Sequence, residues 1–140
     1  MLTESIAMHN EGYVITKLKA LRSIGIQIAI DDFGTGYSSL SYIKKLPINT
    51  LKIDKLFLSE IKTASDDEEI TSTIIAMAQS MKLKVIAEGV ETKEQLRFLQ
   101  KRNCNEAQGY LFSKPVPEKE MKSLLIDNEV AAGLIKYTRQ

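Results

Sequence analysis

Asp31, Asp32, Lys52, Asp54, Glu88, Glu91 and Gln108 all stand at, or within a few residues of, the end of a short apolar run. Carboxylates brought together repel unless a cation offsets them. The chain has one cysteine, Cys104, and one histidine, His9, so neither a thiolate cluster nor a paired imidazole can hold a metal. Hard divalent cations, Mg²⁺ or Mn²⁺, are the natural counter-ions for such an oxygen-rich set. Adjacent Asp31 and Asp32 could serve two metals, an arrangement suited to in-line attack on a phosphate ester. Lys52 could orient an attacking water and Glu88 could accept its proton. The segment Asp-Phe-Gly-Thr-Gly-Tyr carries Gly34 and Gly36. Its backbone N–H groups, next to a helix start near Ser38 and Ser39, could meet a phosphate.

These residues gather only if the chain folds as repeated βα units. The β-like runs are Ile26–Ile30, Thr50–Asp54, Lys84–Glu88 and Glu106–Phe112, short and apolar enough for a covered parallel sheet. Helical patterns separate them. Val14, Leu18 and Leu21 form one stripe that ends near Gly25. Ser65 and Glu68 make a capping box before the stripe Ile70, Ile74, Met77, Ala78 and Met81. Thr92 and Gln95 make a second box before Leu96 and Leu99. Pro117 opens a last helix with Met121, Leu124 and Leu125 on its apolar side. The methionines read as core filler. Strand followed by helix, four times over, predicts an α/β fold with parallel strands. The result is a small open sheet or part of an eight-unit barrel, which needs about 250 residues. In either case the strand C-termini lie on one face.

Taken singly, each feature has a plainer reading. An Asp pair after a strand also makes a turn or cap, two glycines a tight turn, a strand lysine a solvated face. Glu88 and Glu91 beside Gly89 also read as a charged loop, and His9 and Cys104 as structural or surface residues. The coincidence of candidates at all four strand ends carries the argument.

Composition narrows the class. The chain has 140 residues, 44% hydrophobic and 26% charged, enough for one core-bearing domain. A net charge of +1 gives no electrostatic case for a nucleic-acid polymer or an anionic membrane. No apolar run approaches a membrane span, and the N-terminus lacks the pattern of a secretory signal. A cytoplasmic setting is expected, alone or as part of a larger protein.

The segments LTES (2–5), DDFGTGYSSL (31–40), LPINTLKIDK (46–55), VIAEGVET (85–92), EQL (94–96) and QGYLFSKP (108–115), in this order, strongly resemble the EAL-domain family of bacterial cyclic-di-GMP phosphodiesterases. The resemblance implies a TIM-like (β/α) barrel, incomplete in this chain, with residues 1–125 as the C-terminal part of the domain and 126–140 as a helix or tail. It implies metal-dependent hydrolysis of cyclic-di-GMP to the linear dinucleotide with Mg²⁺ or Mn²⁺. Carried over by motif, Asp31 resembles an aspartate shared between two metals, and Asp32 its partner on the second. Lys52 resembles the lysine that holds the nucleophilic water. Glu88 resembles the general base, Glu91 the second glutamate of that motif, and Gln108 the glutamine near the water. Glu4 resembles a glutamate that braces the DDFGTGYSS loop. That loop and the helix after it are associated with dimerisation in the family, so a homodimer or self-association is expected.

The departures set a further expectation. The Glu-Ala-Leu signature, a nearby arginine and an asparagine ligand have no counterpart here. Met1 stands where the family usually has a metal-binding glutamate before LTE. The chain alone is therefore expected to be inactive. The alternative is a non-catalytic, truncated module of this kind for nucleotide binding or for dimerisation or partner contact.

Overall fold

A computed structural model describes residues 2–3, 11–33, 40–62 and 69–126, without the side chains of 2, 3, 32 and 124–126. Glu4, His9, Gly34, Gly36, the helix start near Ser38, the Ser65–Glu68 capping box and the tail after 126 lie outside the described residues. So does the side chain of Asp32.

The sheet contains five strands in sequential order: β1 (Leu2–Thr3), β2 (Ala29–Phe33), β3 (Thr50–Ile53), β4 (Lys84–Glu88) and β5 (Glu106–Gln108). Every neighbouring pair is parallel. The intervening helices are α1 (Glu11–Ser23), α2 (Leu40–Ile43), α3 (Glu69–Ser80) and α4 (Lys93–Lys101), and α5 (Glu118–Ile126) follows β5. Strand order never reverses, so right-handed crossovers stack the helices on one face of the sheet. That is the winding of a (β/α) barrel, not of a doubly wound sheet.

Three strand readings change. The first run is shifted: strand β2 covers 29–33, so Asp31 and Asp32 lie inside it. The hydrogen bonds explain the shift, because Ile28 and Asn49 pair in the loop just below the sheet. The fourth run is only three residues long, because Gly109 turns the chain away after Gln108. Leu2–Thr3 pairs with β2 as a strand that is too short for periodicity to reveal.

Alternation divides the sheet into two faces. Ile30, Leu51, Ile53, Val85, Ala87 and Ala107 are buried on the helix side and join Ile75, Phe98 and Leu99 in one core. Fully burying each of the larger side chains contributes roughly 1.5–3 kcal/mol. The register puts Lys52 opposite Ile86 and Glu88 opposite Gln108 on the other face, which in a barrel looks inward.

The helix stripes are rotated slightly from the sequence pattern. In α3 the buried residues are Thr71, Ile74, Ile75 and Ala78, whereas Ile70 is exposed. Thr71 enters the core because its hydroxyl donates to the Phe57 carbonyl. In α1 Leu18 is buried but Leu21 is exposed. This helix stops at Gly25, whose positive φ of 88° lets the N–H groups of Gly25 and Ile26 close on the last-turn carbonyls. Met121 of α5 is exposed rather than packed. The capping box of α4 forms as the sequence predicts, with Thr92 and Gln95 exchanging hydrogen bonds.

Candidate active site

A β-bulge creates the acidic end of the site. Ile30 and Phe33 pair with Leu51 and Ile53, so Asp31 and Asp32 together oppose the single residue Lys52. The extra residue keeps both Ile30 and Phe33 on the core face and sends Asp31 to the inner face. Lys52 reaches the same place from β3 because both its neighbours, Leu51 and Ile53, are fully buried on the opposite side. Glu88 and Gln108 are the final residues of β4 and β5.

The side chains of Asp31, Lys52 and Glu88 are 14%, 13% and 20% exposed. The Lys52 ammonium ion-pairs directly with Glu88 Oε1 and stands 3.8 Å from Asp31 Oδ1. Gln108 Nε2 donates to the same Glu88 Oε1 at 3.1 Å. Four of the sequence candidates, from four different strands, therefore meet. Two carboxylates around one ammonium leave the cluster one unit negative, which repels a phosphate unless cations bind.

Two candidates do not join this cluster. Asp54 instead N-caps the short 3₁₀ turn Lys55–Phe57, with Oδ1 accepting from Leu56 N–H at 2.8 Å. Glu91 sits exposed in the β4–α4 loop. Its backbone N–H donates to Gln95 Oε1 at 2.8 Å.

That loop is held from three sides. Gln95, 6% exposed, accepts from Glu91 and Thr92 and donates Nε2 to the Leu58 carbonyl at 2.8 Å. It therefore ties the turn after β3 to the loop after β4. Gly89, at φ 73°, lies so close to Lys55 that an added Cβ would stand 2.3 Å from Lys55 Cβ. A Cβ at Gly109 would stand 2.2 Å from the Val90 carbonyl oxygen. At the other end of the sheet, Asn49 and Asn105 each precede a strand; Asn49 accepts from the Ile28 N–H just before β2, and Asn105 from the Val85 N–H of β4. Sequence reasoning missed these asparagines. Their shared position, one residue before a strand, was the available signal.

The donors fit a hard divalent cation in kind, since they are carboxylate oxygens with no thiolate or imidazole among them. Among the described residues, no group of three or more His, Cys, Asp or Glu side chains converges. Nor is any helix among them long and apolar enough to cross a membrane.

Sequentially ordered parallel strands with polar residues at their C-terminal ends define part of a (β/α)-barrel enzyme-type fold. A model of the EAL domain family matches residues 1–115, and the chain belongs to that family. It is 48% identical over 124 residues to the cyclic di-GMP phosphodiesterase NbdA of Pseudomonas aeruginosa, covering 89% of this chain and 16% of that protein. The solved complex of the MucR phosphodiesterase of the same organism with c-di-GMP superposes with a TM-score of 0.78 at 46% identity, over 86% of this chain and 49% of that one. The manganese/cy-diGMP complex of Klebsiella pneumoniae BlrP1 matches with a TM-score of 0.71 at 34% identity, over 81% of this chain and 29% of that one. The chain thus spans about half, or less, of each of these relatives.

Proposed function

We propose that this chain forms the C-terminal catalytic part of a cyclic-di-GMP phosphodiesterase domain. The observation that carries the reading is the Lys52 ammonium between Glu88 and Asp31, with Gln108 on Glu88, at the C-terminal ends of parallel strands. Lys52 holds and orients the attacking water through its N–H donors. Glu88 takes the water's proton; both of its neighbouring donors bind Oε1, so Oε2 has no hydrogen bond among the described residues. Gln108 fixes the carboxylate. The new P–O bond forms as the bond to the leaving ribose oxygen breaks, and that oxygen takes a proton from solvent to end as a hydroxyl, balancing the proton passed to Glu88. Asp31, Asp32 and Glu91 would hold divalent cations, Mg²⁺ or Mn²⁺. When bound, these supply Lewis-acid polarisation and offset the negative charge of cluster and phosphate.

Residues 1–125 form the domain part in this reading and 126–140 a terminal helix or tail. Its setting is the bacterial cytoplasm, and a homodimer or self-associated form completes the proposal. The chain alone turns over little or no substrate in this reading, because the Glu-Ala-Leu signature, the nearby arginine and the asparagine ligand expected of the domain have no counterpart in this sequence. The same observation favours a second reading, a non-catalytic nucleotide-binding or dimerising module. Incubation with cyclic-di-GMP and excess Mn²⁺ or Mg²⁺, with chromatography of the linear product and Asp31→Ala as control, separates the two. Product that disappears in the variant establishes catalysis by this chain and overturns its expected inactivity. Nucleotide binding without product supports the module.

A further inference from the structure

A trough of about 780 Å³ opens on the helical side of the sheet, between α1, α2 and α3. Leu46, Ile48 and Leu83 lie just before β3 and β4, so the trough is at the strand N-termini, opposite the end that carries Lys52 and Glu88. It is bounded by Arg22 of α1, Leu40, Ser41 and Ile43 of α2, and Met77 and Ser80 of α3.

The floor is apolar: Ile43, Leu46 and Ile48 are buried, and Met77 and Leu83 are half-buried. Leu40, 57% exposed, stands at its side. Arg22, Lys44 and Lys82 line the mouth, and among the described residues no acidic side chain does. All three cations are exposed, and none makes an ion pair among the described residues. Lys82 moreover occupies a left-handed position, φ 58°, after the end of α3, where glycine or asparagine is favoured. A strained residue is retained where something over-determines it. A cation facing an apolar trough gives that strain a use.

We propose that this trough docks an acidic amphipathic helix of a partner protein, its apolar side on the floor and its carboxylates against Arg22, Lys44 and Lys82. Apolar contact supplies affinity, and the uncompensated positive rim selects for negative charge. A second copy of this chain fits poorly, because a two-fold contact through this face sets the cations against one another. The proposal is independent of the phosphodiesterase reading.

The probe is a fluorescein-labelled synthetic helix of about 18 residues, with leucines at i, i+3 and i+4 spacing and glutamates flanking them. Its anisotropy is titrated with the full chain. The expected result is saturable binding that weakens about tenfold or more when lysines replace the glutamates, and again in the Lys44→Glu/Lys82→Glu variant. Raising salt to roughly 0.5 M weakens it too. Met77→Trp, which fills the trough without changing charge, also reduces binding; circular dichroism establishes that both variants fold. Equal affinity for the acidic and basic helices, or binding unaffected by both variants, overturns the proposal. So does sedimentation showing that the charge reversal separates a dimer, or binding of phosphatidylglycerol vesicles in place of the helix.

Discussion

Lys52 is the residue on which the polar cluster depends. It neutralises Glu88 and stands near Asp31 with its side chain only 13% exposed. Lys52→Met keeps the stem but leaves two carboxylates without their shared cation. We expect a loss of about 1–3 kcal/mol in urea unfolding, below that of a fully buried broken pair because solvent reaches the site. In the assembled domain, turnover falls by about 10²–10⁴-fold if Lys52 positions the water. Wild-type turnover in that variant would remove Lys52 from the mechanism. Gln108→Ala separates stability from catalysis. Its bond to Glu88 is exposed, so the unfolding midpoint hardly moves, by under about 1 kcal/mol. Turnover nonetheless drops about tenfold or more, since Glu88 loses a donor that orients it.

At the scale of elements, the β4–α4 loop and its three clamps matter most. Gln95→Met preserves shape but removes both acceptor bonds and the donor bond to the Leu58 carbonyl. The expected destabilisation is about 2–4 kcal/mol, with faster amide hydrogen exchange at Glu91 and Thr92. Gln95→Glu keeps the acceptors and recovers the slow exchange at those two amides, but not the link to Leu58. Gly109→Ala is expected to cost about 3 kcal/mol or more, read as a fall in melting temperature, because its Cβ would overlap the Val90 backbone. An unchanged melting temperature would show that the β5 turn is looser than its geometry here. Tyr42 of α2 is a different kind of reporter. Burial pushes its phenol above the ordinary 10.0, and the charge of Glu11 adds to the effect. The neutral form is the one the fold prefers, so its contribution is complete below the unfolded pKa. It is lost as pH rises past 10 toward the folded value. Tyr42→Phe therefore flattens the fall in stability measured above pH 10.

For the whole molecule, β1 and β5 are the outer strands of the described sheet, and the inner face carries half-exposed polar residues. Lys84 and Glu106 pair there on the rows adjoining Thr50 and Ile86. Outer strands with unpaired backbone groups template pairing with another chain. The 140-residue chain on its own is expected to self-associate with rising concentration in sedimentation velocity. A sharp monomer across a hundredfold concentration range would sink that expectation.

The sequence by itself determined four of the five described strands, their alternation with helices, their parallel pairing and four members of the cluster. These follow from local patterns: apolar runs, capping boxes, and polar residues at run ends that a parallel sheet must bring to one side. Asp31, Lys52, Glu88 and Gln108 were legible for that reason. Tertiary structure alone decided the rest. A bulge set against Lys52 turns Asp31 inward, and no pattern within residues 26–33 announces it, because a bulge is a property of two strands. Asp54 sits at a strand end like the others, yet its carboxylate caps the next turn, a choice between near-equal polar partners that local geometry settles. Gln95 showed its capping role in sequence but not its bond to Leu58, 37 residues away, because that bond exists only once two loops are packed together. The trough likewise is lined from α1, α2, α3 and the turns before β3 and β4, separate segments that only packing turns into one surface.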